Sequence, residues 1–348
     1  MLDNQVQTRP RAENGAVSER MRSARDMQRP LKTSEVVVIT GASAGVGRAT
    51  VRAFARRGAK IGLLARGQVG LAAARSEAEQ LGSQAIAIPT DVADPSQVEA
   101  AAAQVEEAFG PIDIWVNDAM TTVFSPFHEM TADEFKRVTE VTYLGCVYGT
   151  KAALKRMIPR NHGVIVQVGS ALAYRGLPLQ SSYSGSLHAV EGFTESVRCE
   201  LMHDRSKVHI TMVHMPALNT PQFSWVKNRL PHQAQPVPPI YQPEVAAEAI
   251  YWAAHHPRRQ LNVGFSTAFT IWLANVAPWL GDLFLSRTAY NFQQTAQARD
   301  TSRPNNLYQP LDDDQDYGAH GPFDQRSTSQ SGELWFAIHR NQIAQAIG

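Results

Sequence analysis

The stretch Val36-Val37-Val38-Ile39-Thr40-Gly41-Ala42-Ser43-Ala44-Gly45-Val46-Gly47 has five β-branched residues followed by three spaced glycines. The β-branched run predicts a buried strand, and a helical pattern of apolar residues follows the glycines. Glycines between a strand and a helix allow a tight turn, a close approach of backbone to a pyrophosphate and close packing of helix on strand. The free N–H groups of the helix then face the phosphates. We therefore predict a dinucleotide site formed by Gly41, Ser43, Gly45, Val46 and Gly47.

Strand and helix patterns alternate along the chain after this turn. Short uncharged strands rich in β-branched residues are separated by amphipathic helices, and this alternation predicts a parallel sheet covered on both faces. The predicted fold is α/β, a Rossmann-type doubly wound parallel sheet in a single domain at 35–264 with a C-terminal extension. The predicted strands after the first lie at 61–65, 85–88, 112–116, 164–168 and 208–213.

The composition of the chain excludes several classes of function. Thirty-three Lys and Arg against thirty-two Asp and Glu leave a net charge of +1, which gives no electrostatic footprint for nucleic acid. Two cysteines form neither a disulfide framework nor a zinc site, so we expect no metal and a reducing, cytoplasmic location. Residues 1–34 are polar and rich in arginine, and we predict that they are disordered.

Two segments follow the predicted domain. Residues 265–292 form an apolar helical extension, which Asn275 and Pro278 interrupt. We predict a buried cap or an oligomer helix here; contact of residues 265–285 with a membrane surface is the first alternative and a true span the second. Residues 293–348 form a polar tail. Its apolar residues, which could dock on the body or on a partner subunit, are Leu307, Tyr308, Phe323, Leu334, Trp335 and Phe336.

The choice of cofactor is encoded where the second strand ends. That strand ends Leu64-Ala65-Arg66 and carries no acidic residue. An acid at this place binds the ribose 2′-hydroxyl of NAD, whereas an arginine accommodates the 2′-phosphate of NADP. Arg66 offers a planar fork of donors suited to phosphate, with a solvated surface arginine as the alternative. NADP(H) is therefore predicted, with NAD(H) as the second choice.

Over about Val36 to Pro257 the sequence resembles the short-chain dehydrogenase/reductase family. The motifs that carry the resemblance are the glycine turn from Thr40, then Asp91-Val92, Asn117, Ser170 and Tyr183, in this order. The resemblance implies that Asp91 and Val92 lie at the adenine ring. It also implies that Asn117 stands at a strand end beside the cofactor and that Pro216 lies near the nicotinamide amide. Homo-oligomers that pair through two long helices are implied as well.

The same resemblance implies the catalytic roles. Ser170 would polarise a substrate carbonyl, and Tyr183 would donate or accept the proton during hydride transfer. This division of labour fits the chemistry, because hydride addition to a ketone builds negative charge on oxygen. The alternative for both residues is structural, as a helix-start serine and a packed tyrosine.

Three positions depart from the family pattern. Leu187 stands where the family places a lysine that lowers the pKa of the tyrosine, and His188 points to another face of the helix. Thr142 replaces the asparagine of the family's proton relay and is predicted to hold a water instead. Asp118 and Met120 replace an amide and a glycine after the fourth strand.

The sequence thus predicts an NADP(H)-dependent oxidoreductase that acts on a carbonyl or an alcohol and is impaired by the loss of the lysine. The alternative is a non-catalytic dinucleotide-binding sensor or scaffold. Lys151 and Lys155 are expected to be solvated. The proline-rich loop from Pro216 to Tyr241 carries Phe223 and Trp225, which suggests an apolar small-molecule substrate.

Overall fold

The computed structural model describes residues 34–347, with side chains as far as His339. The predicted disorder of the N-terminal segment falls on residues outside this range, apart from Ser34. One compact unit begins at Glu35 and contains the described residues that follow it.

Seven parallel strands form the central sheet, which confirms the predicted doubly wound α/β fold. Their order across the sheet is β7-β6-β5-β4-β1-β2-β3. Strands β1 to β3 extend the sheet to one side and β4 to β7 extend it to the other, so the strand order reverses between β1 and β4. A crevice opens at such a switch point beyond the carboxyl ends of the strands, and ligands bind there. The strands are β1 Val36–Thr40, β2 Lys60–Ala65, β3 Gln84–Pro89, β4 Ile114–Asn117, β5 Gly163–Ser170, β6 Val208–Met215 and β7 Gln260–Asn262.

Helices cover both faces of this sheet. Successive residues of a strand point to opposite faces, so Val37 packs with α1, α2 and α7, whereas Val38 packs with α3, α5 and α6. The helices of this domain are α1 Gly45–Ala55, α2 Gln68–Gln80, α3 Pro95–Phe109, α4 Ala132–Thr139, α5 Gly145–Arg160, α6 Ser181–His203 and α7 Pro243–His255.

A π-helical turn at Glu140–Leu144 joins α4 to α5 without a break. The Thr131 side chain accepts a hydrogen bond from the Glu134 N–H, and the Glu134 carboxylate accepts one from the Thr131 N–H. This capping box fixes the start of α4. The π-turn holds Thr142 in place, and such turns occur frequently at functional sites.

The C-terminal extension begins with two helices, α8 Phe265–Val276 and α9 Pro278–Phe292, which we call the apolar hairpin. Residues 293–331 then pass along the domain, and their short strands pair with residues 232–234 and 240–241. Helix α10, Gly332–Ile347, follows. Leu307, Phe323 and Leu334 are buried, whereas Tyr308, Trp335 and Phe336 are exposed. Among the described helices, none has both the length and the apolar character needed to cross a membrane.

Candidate active site

The glycine turn after β1 has the geometry that its sequence predicts. Gly41 and Gly45 adopt φ values of +72° and +58°, which side chains rarely tolerate. A Cβ atom on Gly47 would lie 2.2 Å from the Gly41 carbonyl oxygen, so only glycine allows the helix to approach the turn. Ser43 and Val46 line the same cavity as Gly41 and Gly45.

Arg48, which the sequence analysis did not single out, supports the turn from behind. Its side chain is fully buried and donates to the carbonyl oxygens of Ser43 and Gly70, at 3.0 and 2.9 Å. Its Nε atom donates to the Glu77 carboxylate at 2.9 Å. Burial opposes ionisation of Glu77, but Arg52 and Arg48 together lower the pKa of this carboxyl to about 2. Only the position of Arg48 directly after a Gly-x-Gly turn hints at this role.

At the end of β2, Arg66 contacts the C-terminal tail. Its guanidinium donates to the carbonyl oxygens of Asn306, at 2.5 Å, and of Tyr308, at 2.9 Å. We call residues 305–318 the strap, because they run from this arginine across the glycine turn. There the Gly45 N–H donates to the Gly318 carbonyl oxygen at 3.0 Å, so this N–H group is not free for a phosphate, contrary to the prediction from the sequence.

Asp91 and Val92 lie at the cavity wall beyond β3. Arg137 donates to the Asp91 carboxylate at 2.6 Å and to the carbonyl of Leu307 in the strap at 3.2 Å. Arg137 therefore links Asp91, at the cavity wall, to the strap.

Asn117 and Asp118 follow one another at the end of β4 and differ in their surroundings. The Asn117 amide donates to Gln167 Oε1 at 2.8 Å and accepts from the indole of Trp115 at 2.8 Å, so it serves a buried network. The Asp118 carboxylate accepts a hydrogen bond from the Gly47 N–H, at the start of α1. Burial raises the pKa of Asp118 well above its usual range.

Ser170 ends β5, and Tyr183 lies in the first turn of α6, so the sheet and one helix bring them to the same cavity. The Ser170 hydroxyl accepts from the Leu172 N–H at 3.3 Å. The Tyr183 phenol has no hydrogen-bond partner among the described residues. Burial raises the pKa of Tyr183, and the charge of Asp118 raises it further.

Thr142 and Leu187 flank this pair. The Thr142 hydroxyl donates to the Thr121 carbonyl at 3.0 Å and accepts from the Thr121 N–H at 3.2 Å. Both bonds fix the loop after β4, which leaves the hydroxyl one acceptor site for a water. Leu187 is 3% exposed and lines the cavity.

The described residues place no lysine at this cavity. Lys151 and Lys155 are exposed on α5, and Lys155 pairs with Glu99 at 2.7 Å. His188 is exposed, and its ring contacts the Ser184 carbonyl oxygen at 2.8 Å. Among the described residues, no lysine therefore stands in for the lysine of the family pattern.

One cavity of about 1090 Å³ is lined by many of these groups, among them Gly41, Arg66, Asp91, Asn117, Asp118, Thr142, Ser170, Tyr183 and Leu187. It extends from the glycine turn past Ser170 and Tyr183 to Pro216, and the inner face of the apolar hairpin forms its far wall. The hairpin is fastened at its turn, where Arg175 donates to the Pro278 carbonyl at 3.1 Å and pairs with Asp282.

Comparison with known proteins assigns this arrangement to a family. Residues 35–229 match the family described as short chain dehydrogenase. The oxidoreductase YxnA of Bacillus subtilis, itself uncharacterized, is 34% identical over 276 residues, which are 79% of this chain and 78% of that protein. The chain belongs to the short-chain dehydrogenase family. By class this short-chain dehydrogenase is a nicotinamide-dependent oxidoreductase of alcohol and carbonyl groups.

Two further relatives carry more specific names. The 3-dehydrosphinganine reductase of Danio rerio is 33% identical over 231 residues, which are 64% of this short-chain dehydrogenase and 69% of that enzyme. A solved structure of actinorhodin polyketide ketoreductase with NADPH superimposes with a TM-score of 0.60 at 28% identity. The superposition covers 66% of this chain and 95% of that one.

The glycine turn and the cavity of this short-chain dehydrogenase fit a dinucleotide. Side chains at Gly41 and Gly47 would fill the cradle that the turn forms. A Cβ atom on Gly41 would lie 3.0 Å from Ala119, and one on Gly47 would lie 2.2 Å from the Gly41 carbonyl oxygen. The cavity is continuous from this cradle to Ser170 and Tyr183. The described residues contain no group of three or more His, Cys, Asp or Glu suited to a metal ion.

Proposed function

We propose that the protein is an NADP(H)-dependent reductase of a carbonyl group on an apolar substrate. The observation that carries the proposal is the single cavity in which Ser170 and Tyr183 stand between the glycine cradle and an apolar wall. A solved ketoreductase of the same fold binds NADPH, and Arg66 lies where a 2′-phosphate would be recognised.

The residues of the chain would divide the work as follows. Gly41, Ser43, Gly45 and Val46 would lie along the pyrophosphate, and Gly47 would keep α1 close to this turn. Asp91 and Val92 would lie at the adenine, and Asn117 and Pro216 toward the nicotinamide. When bound, the reduced nicotinamide supplies a hydride to the carbonyl carbon. Ser170 would donate a hydrogen bond to the carbonyl oxygen, and Tyr183 would give that oxygen its proton.

The protonation state of Tyr183 favours reduction over oxidation. Because burial and Asp118 raise the pKa of this phenol, it keeps its proton at neutral pH and can act as an acid. Alcohol oxidation needs the phenolate as a base, and the described residues place no lysine at the cavity to stabilise it. We therefore propose that the physiological direction is carbonyl reduction.

The walls of the cavity support an apolar substrate. Hairpin residues Phe269, Leu273, Leu280 and Phe284 line its far side, and Trp225 lines it from the loop after β6. A relative that reduces a carbonyl on a long-chain lipid, the 3-dehydrosphinganine reductase, is consistent with this chemistry. The substrate we propose is a ketone with a long alkyl chain, held beneath the hairpin.

We also propose two interaction partners for this protein, a membrane surface and a second copy of the chain. The outer face of the hairpin exposes Phe265, Trp272, Val276 and Trp279. Exposed apolar patches of this kind mark interaction sites, and we propose that this one touches a membrane surface. A homo-oligomer that pairs through the long helices α5 and α6, in the cytoplasm, completes the proposal.

A homologous series of methyl ketones tests the proposed function. NADPH oxidation by the full chain is expected to rise in kcat/KM with each methylene until the cavity is filled, because each buried CH₂ contributes about 0.8 kcal/mol. Ser170→Ala should lower kcat at every chain length. A native chain that binds NADPH but reduces no ketone would instead be a sensor or scaffold, the function that a leucine at position 187 favours.

A further inference from the structure

The strap brings a carboxylate to the corner of the cavity where the cofactor is discriminated. Asp312 lies in this strap, is 7% exposed, and lines the cavity together with Ser43, Ala65 and Arg66. Its side chain makes no hydrogen bond or ion pair with any residue in the described range 34–347, so this buried carboxylate has no protein partner.

Two glycines create the recess that seats Asp312. A Cβ atom on Gly67 would lie 2.0 Å from Asp312 Oδ1, and one on Gly70 would lie 2.7 Å from Oδ2. The Gly70 N–H donates to the Asp312 carbonyl oxygen at 2.9 Å, and the Gln68 N–H donates to the Asp313 carboxylate at 2.8 Å. The start of α2 is therefore shaped to hold this part of the strap in one place.

The same strap occupies donors of Arg66. The guanidinium Nη1 and Nη2 atoms already donate to carbonyl oxygens of residues 306–308. Arg66 thus keeps its charge at this corner, while fewer of its N–H groups remain free for a phosphate. An arginine and a carboxylate both line this corner, where a dinucleotide site ordinarily carries one or the other.

We propose that Asp312 is a specificity-determining residue that binds the ribose hydroxyl of the adenosine half and opposes the 2′-phosphate. The acid that is missing from the end of β2 is supplied by the C-terminal strap. A carboxylate accepts a hydrogen bond from a 2′-hydroxyl, and it repels a 2′-phosphate at the same position. Asp312 therefore tempers the preference for NADPH that Arg66 provides. This inference rests on the proposed binding of NADP(H).

The test compares dissociation constants of NADPH and NADH, followed by nicotinamide fluorescence, for the full-length native chain, Asp312→Asn and Asp314→Asn. Asp314 is the matched control, because it is an exposed acid of the same strap that bonds to no described residue. Asp312→Asn is expected to shift the ratio of the two constants toward NADPH by at least fivefold. Asp314→Asn is expected to shift it less than twofold.

Three results would overturn the inference while leaving cofactor binding intact. They are an unchanged ratio in Asp312→Asn, an equal shift in Asp314→Asn, and a parallel gain of affinity for both dinucleotides. A native chain that binds neither dinucleotide contradicts the proposed function itself.

A second measurement covers the case in which Asp312→Asn does not fold. The native chain is titrated with 2′,5′-ADP and with 5′-ADP, which report on the ribose corner without the nicotinamide. A corner that holds both Arg66 and Asp312 predicts affinities within about tenfold of each other, since the two charges oppose. A preference for 2′,5′-ADP of more than about a hundredfold, typical of an unopposed arginine, would overturn the inference.

Discussion

Leu187 lies one helical turn after Tyr183, so the two side chains share a face of α6. A lysine at this position would place an ammonium group beside the phenol and favour the phenolate, which lowers the pKa of Tyr183. A shift of one pKa unit corresponds to about 1.4 kcal/mol. We therefore expect Leu187→Lys to raise turnover of simple ketones about tenfold and to move the pH optimum downward.

Two further variants test whether the effect of Leu187→Lys comes from the charge of the lysine acting on the phenol. Leu187→Met keeps the volume without the ammonium and should leave turnover unchanged. Tyr183→Phe in the Leu187→Lys background should abolish the gain, because the lysine acts through the phenol. A gain that survives the loss of the phenol would show that Tyr183 is not the proton donor.

The charge of Asp118 leads to a separate prediction about the pH dependence of the reaction. Its charge raises the pKa of Tyr183 in addition to the effect of burial. Asp118→Asn removes that charge, so the phenolate forms at lower pH and the pH profile of alcohol oxidation should move downward. Reduction, which uses the protonated phenol, should lose rate at a correspondingly lower pH. Asp133→Asn removes an exposed acid on α4 and should leave both profiles in place.

At the scale of elements, Arg48 links α1 to α2 behind the glycine turn. Arg48→Met leaves the buried carbonyls of Ser43 and Gly70 without this donor, and each unsatisfied buried group costs about 1–3 kcal/mol, whereas Glu77 keeps its pair with Arg52. We expect a loss of that order in the free energy of unfolding, measured by urea denaturation. Arg75→Met breaks an exposed pair with Glu79 and should cost about 0.5 kcal/mol or less. Equal losses would refute the supporting role.

The apolar hairpin predicts binding to lipid. Only Asp282 and Arg287 are charged between residues 265 and 292, so the hairpin is expected to bind zwitterionic vesicles without a need for anionic lipid. Trp272→Ser combined with Trp279→Ser should abolish co-flotation with phosphatidylcholine vesicles. Trp335→Ser, which removes another exposed tryptophan, should have no effect. If the double variant instead changes only the oligomeric state, a second copy covers this face.

At the scale of the whole molecule, the predictable features are those with a local signal. A β-branched run comes before Gly41, spaced glycines form the turn, and apolar residues at helical spacing follow it. Few other structures satisfy this combination, so the fold and the glycine turn could be predicted from the sequence. Ser170 and Tyr183 were placed by their order. The strap was not predicted, because its contacts with Arg66 use backbone carbonyls and therefore leave no pattern of side chains.

The role of Asp312 could not be predicted from the sequence either. Asp312 belongs to a run of acids that resembles a solvated tail, and only the recess at Gly67 and Gly70 shows that one of them is buried. The two glycines and the acid lie far apart in the chain, so no spacing connects them. Arg48 is similar, since an arginine in a helix is ordinarily solvated.

Single-turnover reduction measures the central claim most directly, that Ser170 and Tyr183 form a working site on a bound dinucleotide. The full chain, saturated with NADPH, is mixed with a long-chain methyl ketone, and loss of nicotinamide absorbance is followed for the native protein and for Tyr183→Phe. The account predicts reduction by the native chain and at least a hundredfold slower reduction by Tyr183→Phe, with NADPH affinity unchanged. Equal rates in the two proteins, or no reduction by a native chain that binds NADPH, would contradict it.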